Sequence, residues 1–199
     1  MTSDLETRSP RAPRGRAAST AGVAGAALSA DRDARELRIE VEPHNCFACG
    51  SLNADGLQLQ LHVDGERCWT ELELPARFQG WDGIAHGGVL CTILDEVMAW
   101  SLAATENWGL TAKLAVDFKK PVRIGVPIRA DGWITSSRRR LIETAATITG
   151  TDGTLLATAS ATYVAADDAR RRELQDRYRF RLVDDGARPI AAPRAARGS

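Results

Sequence analysis

His86-Gly87-Gly88-Val89-Leu90-Cys91-Thr92-Ile93-Leu94-Asp95 runs without a break into Glu96-Val97-Met98-Ala99-Trp100-Ser101-Leu102. Wound at about 3.6 residues per turn, the stretch is apolar nearly all the way round, the pattern of a helix buried inside a fold. The glycines at its start leave bare backbone amides at the positive end of the helix. There an oxygen gaining negative charge is stabilised, and no side chain blocks a ligand's approach. Asp95 breaks the apolar pattern, and a carboxylate in such a helix costs free energy unless it is paired or functional. The rest of the chain reads as a wall around this helix.

Working outward, Leu57, Leu59, Leu61 and Val63 alternate with Gln58, Gln60, His62 and Asp64, which is the period of a strand. Asp64-Gly65 signals a hairpin, and a second alternation runs from Cys68 to Leu74 before Pro75. After the helix, expected over residues 88–104, Leu110, Ala112, Leu114, Val116 and Phe118 alternate with Thr111, Lys113, Ala115, Asp117 and Lys119 until Pro121 ends the run. Thr111 therefore falls on the polar face of its strand. Further strands are expected over 128–136, 141–149 and 154–164, the last after the turn Thr151-Asp152-Gly153. A charged helix over 167–180, with Leu174 and Tyr178 on one face, closes the domain. This order predicts an α+β fold in which an antiparallel β-sheet curls around one long central helix, because one flat face cannot cover it. The sheet's edge and the helix's remaining side stay open, which predicts a homodimer or a dimer of dimers.

The chain has 199 residues, 44% of them hydrophobic, enough for one ordinary domain with extra segments. Lys+Arg and Asp+Glu are both 26, so no basic excess points to nucleic acid as a partner. No apolar run reaches the roughly 20 residues that cross a bilayer, so no membrane span is expected. Four cysteines are too few for a disulfide framework at this length. With no signal peptide recognised, a reducing compartment, the cytoplasm, is expected. Residues 1–38 carry arginines among Ala, Gly, Ser and Pro with almost nothing to bury, and are expected to be a disordered tail. From Thr7 to Ala30 the tail is acid-free, the composition of a transit peptide, but Asp4 and Glu6 argue for a plain solvated tail. Residues 183–199 read as a second flexible tail, which leaves 39–182 as the folded domain.

Phe78-Gln79-Gly80-Trp81-Asp82-Gly83-Ile84-Ala85-His86-Gly87-Gly88, followed by Leu94-Asp95-Glu96, resembles the signature of the PaaI-like branch of hotdog-fold acyl-CoA thioesterases. His44-Asn45-Cys46-Phe47-Ala48-Cys49-Gly50 leading into Gly56-Leu57, and Thr111-Ala112-Lys113-Leu114 leading into Phe118-Lys119-Lys120-Pro121, agree with it. The resemblance covers about residues 44–165. It implies a hotdog fold, a dimer with two sites at its interface, hydrolysis of acyl-coenzyme A thioesters and no cofactor, coenzyme A being part of the substrate. It also implies that Thr111 occupies a position where related enzymes carry a hydroxyl that orients water or the aspartate; simple exposure is the other reading. Some relatives share the oxyanion with an amide side chain upstream of His-Gly-Gly. Here the nearest such residue is Gln79, while the aligned position holds Gly80.

Thioester hydrolysis needs a donor at the carbonyl oxygen and a group that attacks the carbonyl or activates water. The Gly87 N–H suits the first task, with Gly88 beside it, and Asp95 the second. Eight positions at about 1.5 Å each separate them by about 12 Å along one helix, so they cannot meet on one carbonyl within a chain. Two such helices running antiparallel across a two-fold axis would bring Gly87 of one subunit to Asp95 of the other. His86 either polarises the carbonyl or the leaving thiolate, or holds the loop entering the helix. Glu96 is expected to be an ion-pair or interface residue.

Arg138-Arg139-Arg140, in a turn, suits coenzyme A phosphates, the alternative being a solvated turn. Trp81, Trp100 and Trp108 are expected to pack the core and acyl pocket, and Cys91 to be a small buried residue. His44, Cys46 and Cys49 have metal-like spacing, but no fourth ligand follows at finger spacing beyond His62, Cys68 or Cys91. A structural turn lining the substrate entrance is the preferred reading, and no metal is assigned. Two other functions remain open: a non-catalytic acyl-CoA-binding module, and a hotdog enoyl-CoA hydratase or dehydratase, which needs an Asp and His pair.

Overall fold

A computed structural model describes residues 37–184 apart from positions 66 and 106. The expected tails at 1–36 and 185–199 lie outside the described residues.

The long helix forms where expected, as α1 over Gly87–Ala104. Leu90, Ile93, Leu94, Val97, Met98 and Leu102 are buried on it. It is preceded by β1 (Leu37–Glu40), β2 (His62–Asp64), β3 (Arg67–Glu73), a 3-10 turn at Ala76–Phe78, and a small hairpin of β4 (Gln79–Trp81) and β5 (Ile84–Ala85). It is followed by β6 (Gly109–Phe118), β7 (Pro127–Arg138), β8 (Leu141–Gly150), β9 (Leu155–Ala165), α2 (Asp168–Tyr178) and β10 (Arg181–Val183).

Eight strands make one antiparallel sheet in the order β10-β1-β2-β3-β7-β8-β9-β6. α1 packs against β3, β6, β7, β8 and β9, so the sheet wraps the helix as its all-round apolar pattern requires. Gly132 lets the helix lie close: a Cβ there would stand 2.6 Å from the Val97 carbonyl carbon and 2.7 Å from the Met98 nitrogen. The face of α1 bearing Gly88, Thr92, Asp95 and Ala99 is left partly open.

Several expectations need correcting. Leu37 and Arg38 were assigned to the tail and Val183 to the second tail, yet they pair with each other's strands, Arg38 opposite Val183 and Glu40 opposite Arg181. Both strands are three or four residues long and carry little periodicity to read. Of the alternating run 57–63 only its end joins the sheet. Gln58 takes a left-handed φ of 49°, and the Leu57 and Leu59 amides donate instead to Phe47 O at 2.8 Å and Ala48 O at 2.9 Å. The burial alternates as expected, with Leu59, Leu61 and Val63 buried, but a loop supplies the pairing.

β6 carries the correction that matters most for the site. Its pairing with β9 shifts register between Thr111 and Lys113, a β-bulge at Ala112. One extra residue lets Thr111 and Leu114 face the same side, which simple alternation forbids. Thr111 stands opposite Tyr163, and Leu114 opposite Ala161.

Candidate active site

α1 begins as its glycines suggest, but His86 does the capping. The His86 backbone is extended at the N-cap, and its Nδ1 accepts the Gly88 N–H at 3.0 Å, so the ring carries its proton on Nε2. Of the two readings offered for His86, holding the helix entrance is the one its side-chain contact supports. Gly88 is thereby occupied. The Gly87 N–H, first in the helix, has no intrahelical partner and none among the described residues. A Cβ at Gly87 would meet Phe118 Cζ at 3.3 Å, which puts an aromatic ring beside that amide.

Asp95 lies two turns on, half-buried on the open face of α1. Its Oδ1 accepts hydrogen bonds from Thr111 Oγ1 at 2.9 Å and from Tyr163 Oη at 2.7 Å, and the same tyrosine hydroxyl lies 3.0 Å from the Asp95 carbonyl oxygen. Among the described residues Oδ2 receives no hydrogen bond. Burial, and then the Asp95 charge, pushes the Tyr163 hydroxyl far above its ordinary range, so it stays a donor. One carboxylate oxygen is thus pinned by two hydroxyls from adjacent strands, and the other has no protein donor among the described residues.

Tyr163 is the residue that the reading of the sequence missed. It is wholly buried in β9 on the face shared with Ala157, Ala159 and Ala161. A lone tyrosine in a row of small residues was the available signal, because a buried phenol needs a partner for its hydroxyl.

The other expected site residues are scattered over the fold. Gln79 sits at the base of the β4–β5 hairpin, where its Oε1 accepts the Gly83 N–H at 3.3 Å and leaves its amide hydrogens unused by that contact. Trp81 was expected to pack, but it stands at the hairpin with 83% of its surface exposed. Trp100 and Trp108 do pack, with ring centroids 6.2 Å apart and Phe180 5.7 Å from Trp100. Arg138, Arg139 and Arg140 are all exposed in the β7–β8 turn, where Arg139 adopts φ 56°. Leu141 lies opposite Val164, and Gly109 beside it approaches Leu102, so this turn belongs to the end of the sheet where α1 finishes, away from Gly87. Cys91 is only partly buried.

Glu96, expected to be an ion-pair or interface residue, makes no ion pair among the described residues. It accepts the Trp100 Nε1–H at 2.9 Å, and burial, with Cys46 adding to it, pushes its carboxyl up to about 7. Its neighbours come from the loop before β2. His44, Cys46 and Cys49 converge there with ligand atoms all within 4.8 Å of one another. A hydrogen bond from the Cys49 thiol, together with backbone N–H groups of Cys49 and Ala48, pulls Cys46 down to about 5, while the same contact and burial push Cys49 up. A cleft of about 510 Å³ reaches this cluster, lined by His44, Cys49, Gln58 and Gln60 among others; Asp95, Gly87 and Thr111 do not line it.

Comparison with known proteins adds to this geometry. The sequence pattern of the thioesterase superfamily matches residues 82–157, from the β4–β5 hairpin through Asp95 into β9. The acyl-coenzyme A thioesterase THEM4 of Rattus norvegicus is 32% identical over 90 residues, which is 45% of this chain and 39% of that protein. The crystal structure of a thioesterase superfamily protein superposes with a TM-score of 0.58 at 26% identity, over 60% of this chain and 60% of that one. A hypothetical thioesterase protein of Streptococcus pneumoniae, determined with coenzyme A, shares the fold at a TM-score of 0.51 and 16% identity, over 64% of this chain and 85% of its own. The chain thus spans about two fifths of the length of its rat relative. Helix, wrapped sheet and matched segment agree in one conclusion: residues 82–157 carry the sequence pattern of the thioesterase superfamily, and the fold is similar to that of a solved thioesterase superfamily protein.

Proposed function

We propose that this protein hydrolyses acyl-coenzyme A thioesters to the free acid and coenzyme A, at sites completed across a homodimer. The observation that carries the reading is Asp95, whose Oδ1 is held by Thr111 and Tyr163 while its Oδ2 stays free of protein donors. A water placed against Oδ2 gives up a proton to it as the water oxygen attacks the thioester carbonyl; direct attack by Oδ2 is the alternative first step. The carbonyl oxygen becomes an oxyanion, stabilised by the Gly87 N–H at the positive end of the partner's α1. The unused amide hydrogens of Gln79 are the second donor. Collapse of the intermediate breaks the carbon–sulfur bond, and the proton held by Asp95 leaves with the coenzyme A thiolate.

The dimer rests on three features. Gly87 and Asp95 are about 12 Å apart along one helix. The α1 face bearing Asp95 is partly open. The edge strand β6 exposes Leu110 to 61% and Phe118 to 53%, apolar surface that a second copy would cover. The rat relative's name supports coenzyme A esters as the substrate class. Exposed Arg138, Arg139 and Arg140 are the groups available to its phosphates.

The test is steady-state thiol release from a panel of acyl-coenzyme A esters. At least one ester is turned over by the wild type, and Asp95→Asn lowers kcat by at least about 100-fold, as for loss of a general base or nucleophile. Binding without turnover of any ester would assign the pocket to an acyl-coenzyme A binding module. A hydrated acyl chain with no free thiol would assign it to a hydratase, a reading disfavoured because His86 Nδ1 is occupied by the Gly88 N–H.

A further inference from the structure

His44, Cys46 and Cys49 are unconnected with the hydrolysis just described, and their arrangement has chemistry of its own. His44 is buried, 3% exposed, and its ring lies edge-on to Tyr178 with centroids 5.2 Å apart. Its Nδ1 is 2.9 Å from the Glu42 carbonyl oxygen, which can only accept, so Nδ1 carries the proton and Nε2 presents a lone pair. That lone pair faces Cys49 Sγ at 3.3 Å. A histidine whose far nitrogen is tied to a backbone carbonyl while the near one points into a pair of cysteines has the support that orients metal-ligating histidines.

The two cysteines are held by a tight loop. Gly50 N–H closes it on Cys46 O at 3.0 Å, and Leu52 N–H on His44 O at 3.1 Å. A Cβ at Gly50 would run into the backbone of Cys46 and His44, so the Cys-x-x-Cys-Gly turn closes only with glycine at its end. Glu96 of α1 is near, but its carboxylate is taken by the Trp100 Nε1–H at 2.9 Å and is not among the ligand atoms that converge. One imidazole nitrogen and two sulfurs thus stand within 4.8 Å of one another, the gathering of donors that a zinc ion takes.

We infer that His44 Nε2, Cys46 Sγ and Cys49 Sγ bind one zinc ion, with a water or another exogenous ligand in the fourth position. The donor set, one nitrogen and two sulfurs, is of the kind that zinc takes in tetrahedral sites. With Zn–N of about 2.0–2.1 Å and Zn–S of about 2.3 Å, tetrahedral ligand atoms lie roughly 3.5–3.8 Å apart. The nitrogen–sulfur separation of 3.3 Å and the 4.8 Å limit on the cluster need only small side-chain adjustments to meet this. The cleft bordering His44 and Cys49 is an entry path.

The full-length chain, purified without added metal or chelator, is expected to hold about one zinc per chain by elemental analysis. Cys46→Ser and Cys49→Ser should each lower that at least tenfold while far-ultraviolet circular dichroism stays that of the wild type. Wild-type protein stripped by a chelator, reduced and titrated with cobalt(II) should give the visible bands of a tetrahedral ion and a thiolate-to-cobalt charge-transfer band. His44→Gln should keep the charge-transfer band and weaken cobalt affinity at least tenfold. The assignment is overturned if reduced wild-type protein takes up less than about a tenth of an equivalent of cobalt, or if the Cys46→Ser, Cys49→Ser double variant keeps its zinc. These readouts do not use turnover, so they separate a failed metal site from a failed hydrolase assignment.

Discussion

At the scale of single residues, the central fact is the unequal treatment of the two Asp95 oxygens. Thr111 and Tyr163 both donate to Oδ1, from strands that the sheet places side by side. A hydrogen bond to a charged group contributes about 1.5–3 kcal/mol. If the hydroxyls orient Asp95 for attack, Thr111→Ala and Tyr163→Phe should each lower kcat by about 10- to 100-fold with KM little changed. Steady-state kinetics on the best ester of the panel checks this, and a rise in KM alone would place the two hydroxyls in substrate binding instead. Thr111 was legible as a site residue only through resemblance, because its position in the alternation sends it outward. Tyr163 was not legible, since its partner is 68 positions away in the chain.

At the scale of elements, two local departures from regularity build the site. The bulge at Ala112 turns Thr111 toward α1 without turning Leu114 away from the core. Gly132 of β7 lets α1 settle directly on the sheet, its absent Cβ leaving room for the backbone of Val97 and Met98. Because backbone cannot rotate aside as a flexible side chain can, Gly132→Ala should destabilise the fold by about 1–3 kcal/mol, the range for overpacked cores. Urea unfolding should show a lower midpoint at an unchanged slope. An unchanged midpoint would mean that the helix can lift from β7 at no cost. No period or propensity in the sequence marks Gly132, since its role is set by a helix some 35 positions earlier.

At the scale of the whole molecule, the proposed chemistry needs two chains, and this can be tested without a structure of the pair. Gly87→Pro deletes the amide donor at the first helical position, where proline is tolerated. His86 already has the extended backbone that precedes proline, with φ −66° and ψ 132°. Phe118, the neighbour of that position, is exposed and free to shift. Gly87→Pro and Asp95→Asn should each be nearly inactive alone. Refolded together in equal amounts, half of the dimers are mixed and each mixed dimer holds one intact site of its two, so about a quarter of wild-type activity should return. No recovery on mixing would place both groups of a site in one chain.

The sequence by itself determined the long buried helix, its glycine-led start, the strands around it and the identity of Asp95 as the carboxylate to explain. These follow from periodicity and from the cost of a charge on an apolar face, both of which are local. Only the tertiary structure decided what holds Asp95, which face of β6 Thr111 occupies, that Trp81 stands in solvent, and that His44, Cys46 and Cys49 converge. The first two of these depend on residues far apart in sequence meeting through strand register, a bulge or the seating of a helix. A local pattern carries no information about such meetings, because the same alternation fits either register until the partner strand is in place.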